Sequence, residues 1–253
     1  MAGLNVDAGD AHRAVRQFAD RLVETVPVDG LYVGGSLATG DHRPWCSDLD
    51  LVALIPTPLD RRVTGLVRRL HGSVPTELRL GCTYVPREEA ADVAVPHPTW
   101  SHGQFFRRPL TAVARADLLR HGLVVQGPPA ARLIPSVDDA QLRAGVVDEL
   151  RGYWSQVVGR RSFWLRDEHV DLALLTMARA RITLTSGELL TKSEALERLA
   201  DLGVQPDLVE EIRRRRAGES VDVGWGRRLR RAREARRLTS RAMTRMLETP
   251  TSA

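Results

Sequence analysis

Two aspartates, Asp48 and Asp50, stand two residues apart at the head of the apolar run Leu51-Val52-Ala53-Leu54-Ile55. Side chains alternate along a strand, so both carboxylates share one face, ~7 Å apart along the chain, while Leu49 and Leu51 turn to the core. Like charges beside an otherwise apolar strand repel unless a cation joins them. Hard divalent cations such as Mg²⁺ accept one or two carboxylates and leave their other positions to water or phosphate. Upstream, Leu31-Tyr32-Val33 reads as a short strand ending in Gly34-Gly35-Ser36. Such a turn lets the backbone approach a phosphate closely. Ser36 adds a hydroxyl, and Ser47 directly precedes the first aspartate. Carboxylate-held metal ions can clamp the attacking and leaving oxygens of a phosphoryl displacement, the chemistry these residue types suit.

These residues need elements to position them. Ala14, Val15, Phe18, Leu22 and Val23 recur at helical spacing, which predicts a helix over 9–26. Strands are expected at 31–33 and 49–55, the second largely buried. Leu59–His71 reads as a helix with Arg61, Arg62, Arg68 and Arg69 outward, and Leu78–Val85 as a third strand. Residues 86–110, with Pro96, Pro98, Trp100, His102 and Pro109, read as irregular, and a helix over Thr111–Arg120 follows. The composition changes at Gly127-Pro128-Pro129. From Asp138 onward every long segment has helical periodicity, as in Leu142, Val146, Leu150, Trp154 and Val157, then Val170, Leu174 and Ile182. The expected fold class is α/β (α+β). A domain over 1–130 carries a small mixed sheet, and an all-helical bundle occupies 138–253.

The stretch from Gly35-Ser36 to Asp48-Leu49-Asp50 resembles the signature of the DNA polymerase β-type nucleotidyltransferases: Gly-Ser after a strand, about a dozen residues, then Asp-hydrophobic-Asp. Beyond it, Asp117–Pro129 and Leu174–Leu196 are similar to parts of the streptomycin/spectinomycin-type aminoglycoside adenylyltransferases. A helix of the type Leu175-Thr176-Met177-Ala178-Arg179 leads to Ser186-Gly187 and then to Thr191-Lys192. The resemblance implies a Mg²⁺-dependent adenylyltransferase that moves a nucleoside monophosphate from ATP to a hydroxyl of a small, aminoglycoside-like molecule. Asp48 and Asp50 would be catalytic metal ligands. Gly35, Ser36, Ser47 and Lys192 would serve ATP. Asp167, Glu168 and Asp171 would hold a cationic acceptor. The family's general base is a glutamate on the third strand, and alignment of Leu80-Gly81-Cys82-Thr83 places Gly81 there. Glu77 reads as lying on the same strand face but four residues earlier, ~13 Å away, so it can serve only if a register change or bulge brings it nearer. Asp167, Glu168 and above all Asp171 are then the candidates for the missing base.

Some of these residues make sense without the resemblance. Thr191-Lys192-Ser193-Glu194 is a capping box with Thr191 as N-cap. A base at the first helical position opposes the helix dipole, a conflict that a bound anion removes. Lys192 is also the only lysine in the chain. The plain alternative is a solvated side chain. Asp167 and Asp171 share a helix face, and acids at a helix start are favourable without any ligand. Trp100, Trp154 and Trp164 could wall a sugar site or simply fill core. His102, His121 and His169 have no metal-ligand spacing and read as structural or surface residues.

Composition bounds the rest. The net charge is +5 over 253 residues and the pI is about 10.0. An arginine-rich, lysine-poor balance fits codon bias on solvated helices, so nucleic acid is a secondary expectation, confined to Arg213–Arg216 and the segment 227–241. Protein or RNA nucleotidylation, or a non-catalytic nucleotide- or nucleic-acid-binding protein of the same fold, are the rival readings. Two cysteines make no disulfide framework, and no apolar run is long enough for a membrane span. A cytoplasmic location follows as the expectation. The acceptor, the nucleotide preference and the oligomeric state are not encoded in any motif.

Overall fold

A computed structural model describes residues 8–44 and 46–248. The chain forms two compact units, Met1–Val137 and Asp138–Ala253.

The first unit runs α1 (Ala8–Thr25), β1 (Gly30–Gly34), α2 (Gly35–Ala38), β2 (Leu49–Ile55), α3 (Arg61–Gly72), β3 (Leu80–Pro86), β4 (Pro96–Ser101), β5 (Gln104–Pro109), α4 (Ala112–His121) and β6 (Leu123–Gln126). The strands form one mixed sheet in the order β5-β4-β3-β2-β1-β6. β2 and β3 are parallel, joined through α3, and the other neighbours are antiparallel. Parity decides which side chain goes where. Leu49, Leu51, Ala53 and Ile55 of β2 join Val15, Phe18 and Leu22 of α1 and Val67 and Leu70 of α3 in one core layer. Leu54 joins Tyr32, Val85 and Leu118 in the layer on the opposite face, beneath α4. Asp50 has the parity of Leu54, so its carboxylate belongs to the α4 face.

Two expectations need correction. Residues 96–109 are not irregular: β4 and β5 form a hairpin, closed by His102 (φ +50°) and Gly103 (φ +73°). Two left-handed residues make the turn whose twist matches a hairpin. Pro96 and Pro109 pair at the open end of the hairpin, and Pro98 lies outside the Thr99–Trp100 segment by which β4 pairs with β3. Glu77 is not on the third strand. It lies exposed in a short 3₁₀ turn, Thr76–Leu78, and β3 begins only at Leu80. The four-residue strand β6 was also not anticipated; it pairs with β1 across a register shift between Leu31 and Tyr32.

The second unit is helical: α5 (Asp139–Glu149), a π-helical turn at Leu150–Trp154, α6 (Ser155–Val158), α7 (Asp167–Ser186), α8 (Lys192–Glu197), α9 (Pro206–Arg216) and α10 (Trp225–Glu248). Trp154 and Trp164 are buried core residues. α7 ends at Gly187 in the left-handed conformation (φ +75°). No helix among the described residues is long and apolar enough to cross a membrane.

Candidate active site

Asp50 sits in a row of the sheet whose other members lack side chains. Gly34 of β1 pairs with it on one side and Gly81 of β3 on the other. The carboxylate therefore rises, exposed, from a floor of bare backbone. Gly35 closes one wall. Its φ is +61°, and a Cβ there would lie 2.8 Å from Asp50 Oδ2, so only glycine gives both the turn and the approach. Its amide donates to Asp117 Oδ2 of α4 at 3.0 Å, and Asp117 Oδ1 lies 3.3 Å from His121 Nδ1. Ser36 follows in the single turn of α2, half-buried.

Asp48 precedes β2. Its Oδ1 is 2.8 Å from Arg79 Nε and its Oδ2 is 4.0 Å from His102 Nε2. Arg79 (φ +48°) and His102 (φ +50°) are the two non-glycine residues with positive φ among the described residues. Each such conformation costs ~1 kcal/mol or more and tends to mark functional geometry. Sequence reading missed Arg79 and Asp117 and read His102 as structural or surface, because nothing local shows which distant carboxylate or amide a side chain meets. Ser47 is buried and its Oγ accepts from Arg43 N at 2.9 Å, so it fixes the loop entering Asp48.

A Cβ at Gly81 would meet Trp100 O at 3.2 Å and Ser101 Oγ at 3.6 Å. Glycine at 81 thus leaves β4 packed close beside the Asp50 row, in the space a larger side chain would claim. Trp100 itself stacks on His71, with ring centroids 5.1 Å apart. Burial holds the His71 imidazole down to a pKa of about 3.

The donor set fits a divalent cation in the Mg²⁺ manner. No cluster of three or more His, Cys, Asp and Glu is present among the described residues, but two carboxylate oxygens on an open floor, completed by water and substrate phosphate, suffice for Mg²⁺.

In the helical unit, Thr191 caps α8 through the capping box: its Oγ1 accepts from Glu194 N at 3.1 Å, and its own amide donates to Glu194 Oε2 at 2.7 Å. The preceding loop is tied to α7, since Arg179 Nε donates to Leu190 O (2.7 Å) and Thr183 Oγ1 to Glu188 O (2.8 Å). These bonds fix the backbone at Lys192. The acids of α7 have arginine partners. Arg215 forks onto Asp171 at 2.6 and 2.8 Å. Arg231, which is fully buried, bonds both Asp167 and Glu211. Burial raises the Asp171 carboxyl pKa, with Arg215 pulling the other way. Glu168 is exposed and bonds Arg166.

Residues 15–98, which hold β1, the Gly-Gly turn, Asp48, Asp50 and β3, match the nucleotidyltransferase domain family. No curated protein sequence matches the chain. Among solved structures, spectinomycin adenyltransferase AAD(9) from Enterococcus faecialis, crystallised with ATP and spectinomycin, superposes with a TM-score of 0.70 over 92% of this chain and 100% of that one, at 13% identity. Residues 15–98 thus carry the pattern of a nucleotidyltransferase domain, and the fold of the chain is similar to that of AAD(9).

Proposed function

We propose that the chain is a Mg²⁺-dependent adenylyltransferase that moves the nucleoside monophosphate of ATP onto a hydroxyl of a small acceptor. The observation that carries this reading is the Gly34–Asp50–Gly81 row with Asp48 beside it: paired carboxylates on open backbone, walled by a turn only glycine can make. Asp48 and Asp50 would hold the cation, which when bound supplies charge stabilisation for phosphoryl transfer. Asp117 holds the Gly35 amide and with it the turn against Asp50. Gly35 and Ser36 line the nucleotide side, Ser47 fixes the loop before Asp48, and Lys192 serves the triphosphate. Asp171 is the proposed proton acceptor, and it can act only when Arg215 releases it. ATP use and two free cysteines suit the cytoplasm.

An aminoglycoside-like acceptor is proposed because AAD(9) was crystallised with ATP and spectinomycin; antibiotic resistance would then follow. Glu168, Asp167, Asp171 and Trp100 are the acceptor-side candidates. One observation favours a second reading, in which the acceptor is poor in amines. Asp167 and Asp171 already have guanidinium partners, so a cationic drug would have to displace arginine rather than water.

The test is a pyrophosphate-release panel. The four ribonucleoside triphosphates are crossed with aminoglycosides and with neutral polyols, each with Mg²⁺ and with chelator. Chelator-sensitive release that needs both ATP and an acceptor is expected. No acceptor-dependent release with any pair, or full turnover by Asp50→Asn, would overturn the reading.

A further inference from the structure

Most arginines of α9 and α10 fall into two groups. Those of the α9 run have partners within the unit: Arg213 meets Glu197 and Glu210, Arg214 meets Glu219, Arg215 meets Asp171, and Arg216 meets Ser193. On α10 the inward arginines do too: Arg227 and Arg231 bond Glu211, and Arg236 bonds the Val158 carbonyl. Arg230, Arg233, Arg237 and Arg241 differ. All four are exposed, and no carboxylate pairs with them among the described residues. At ~100° per residue they fall in one stripe ~80° wide, opposite the buried Ala232, Ala235, Thr239 and Ala242. Glu234 borders the stripe, and Glu248 stands in line with it two turns beyond Arg241. Like charges at i,i+4, as at Arg233–Arg237 and Arg237–Arg241, oppose helix formation, so the stripe is held against its own repulsion.

We infer that this face of α10 binds the phosphate backbone of a single-stranded nucleic acid. The four guanidiniums span ~16 Å at 1.5 Å per residue, and a nucleic-acid strand presents one charge per ~3.4 Å, so about four or five phosphates face the stripe. A guanidinium fork matches phosphate oxygens in pairs. Thr244 within the stripe and Ser240 at its edge are polar, and the exposed large apolar side chains of the helix, Trp225 and Leu229, stand only near its start, too few for an interfacial helix to enter lipid. At the start of α10, Trp225 is 68% exposed with Arg228 over its ring. That platform can take an unpaired base, which favours single strands over duplex.

The inference is independent of nucleotidyl transfer, so its test uses the full chain without ATP or Mg²⁺. Fluorescence anisotropy with a labelled 20-nucleotide RNA of mixed sequence is followed from 50 to 200 mM NaCl. Wild type should bind, with log K falling against log [salt] at a slope near −3, from roughly −0.7 per neutralised phosphate. Arg230→Gln/Arg233→Gln/Arg237→Gln/Arg241→Gln should lose at least thirtyfold at 50 mM and most of that slope. Arg213→Gln/Arg214→Gln, on paired arginines, should stay within threefold of wild type, and Trp225→Ala should weaken binding severalfold. Circular dichroism checks that each variant is folded, and the charge-reversed Arg237→Glu/Arg241→Glu provides a second probe of the stripe. No binding by wild type, equal binding and slope in both stripe variants, or capture by phosphatidylserine vesicles without RNA binding would overturn the inference.

Discussion

The molecule holds two sets of acids that differ in how deeply they are buried. At the head of β2, Asp48 and Asp50 face outward: Asp50 is exposed, and the Asp48 side chain is 31% exposed with Arg79 on one oxygen. In the helical unit Asp171 and Glu211 are about half as exposed, at 15% and 12%, and are met by Arg215 and Arg231. Carboxylates at a sheet end over bare glycine backbone remain accessible to a ligand cation. Carboxylates among helices are matched by cations of the chain itself, because a buried charge left alone is costly. On the proposed function, the same residue type would serve a site in one region and structure in the other.

The largest effect should come from Asp50→Asn. If Asp50 holds the cation as proposed, its loss should cut ATP-dependent pyrophosphate release roughly a thousandfold, about 4 kcal/mol of transition-state stabilisation, while the melting temperature holds. Wild-type turnover in this variant would erase the contrast. Asp171→Asn or Arg215→Met should do the reverse to stability and lower it by about 2–4 kcal/mol in urea titrations, since each strands a largely buried partner. If both leave stability unchanged, the helical acids are not structural. Their effect on turnover then measures the proposed proton transfer separately.

A buried base without an acid partner sharpens the rule. Among the described residues His71 Nε2 meets the Tyr84 hydroxyl, at 2.8 Å, and no carboxylate, and burial depresses its pKa to about 3. The unfolded chain therefore takes up this proton first, near the ordinary histidine pKa of ~6.5. Stability from neutral His71 is intact above that pH and is lost as pH falls from there toward 3. Between pH 7 and pH 4.5 the wild type should lose about 2–3 kcal/mol more than His71→Phe; parallel pH profiles would refute this. The smallest effect belongs to Arg79→Met. A partly exposed ion pair contributes at most ~1 kcal/mol, so freeing Asp48 should tighten Mn²⁺ binding to nucleotide-free protein about two- to fivefold, read by electron paramagnetic resonance. Weaker Mn²⁺ binding would mean that Arg79 shapes the site rather than competing for it.

How much could be read in advance follows the range of the interactions involved. Helices α1, α3, α4 and α7 show in apolar periodicity, and the capping box at Thr191 is written within four residues. Asp48, Asp50 and Gly35 are legible because strand alternation and a glycine turn are local facts. The β4–β5 hairpin was hidden because Pro96, Pro98 and Pro109 mimic a loop, and its turn depends on His102 accepting a left-handed backbone. Arg79, His102 and Asp117 were hidden because their roles come from pairing across strands and from α4, far away in sequence. Glu77 looked like a strand residue because the 3₁₀ turn that removes it depends on the left-handed Arg79 that follows.

The sheet has two ends, and they are finished differently. At one end β5 is almost wholly exposed, yet it carries Arg107 and Arg108 and stops at Pro109. A second sheet edge laid against it would have to bring these charges together and would find no amide at the proline. At the other end β6 is four residues long, shows Leu123 and Val124 at 38% and 47% exposure, and has no charged residue. Its defence is brevity alone. When the protein is concentrated or partly opened by heat, self-association should begin at β6, and a lysine at Val124 should extend the working concentration without touching the site.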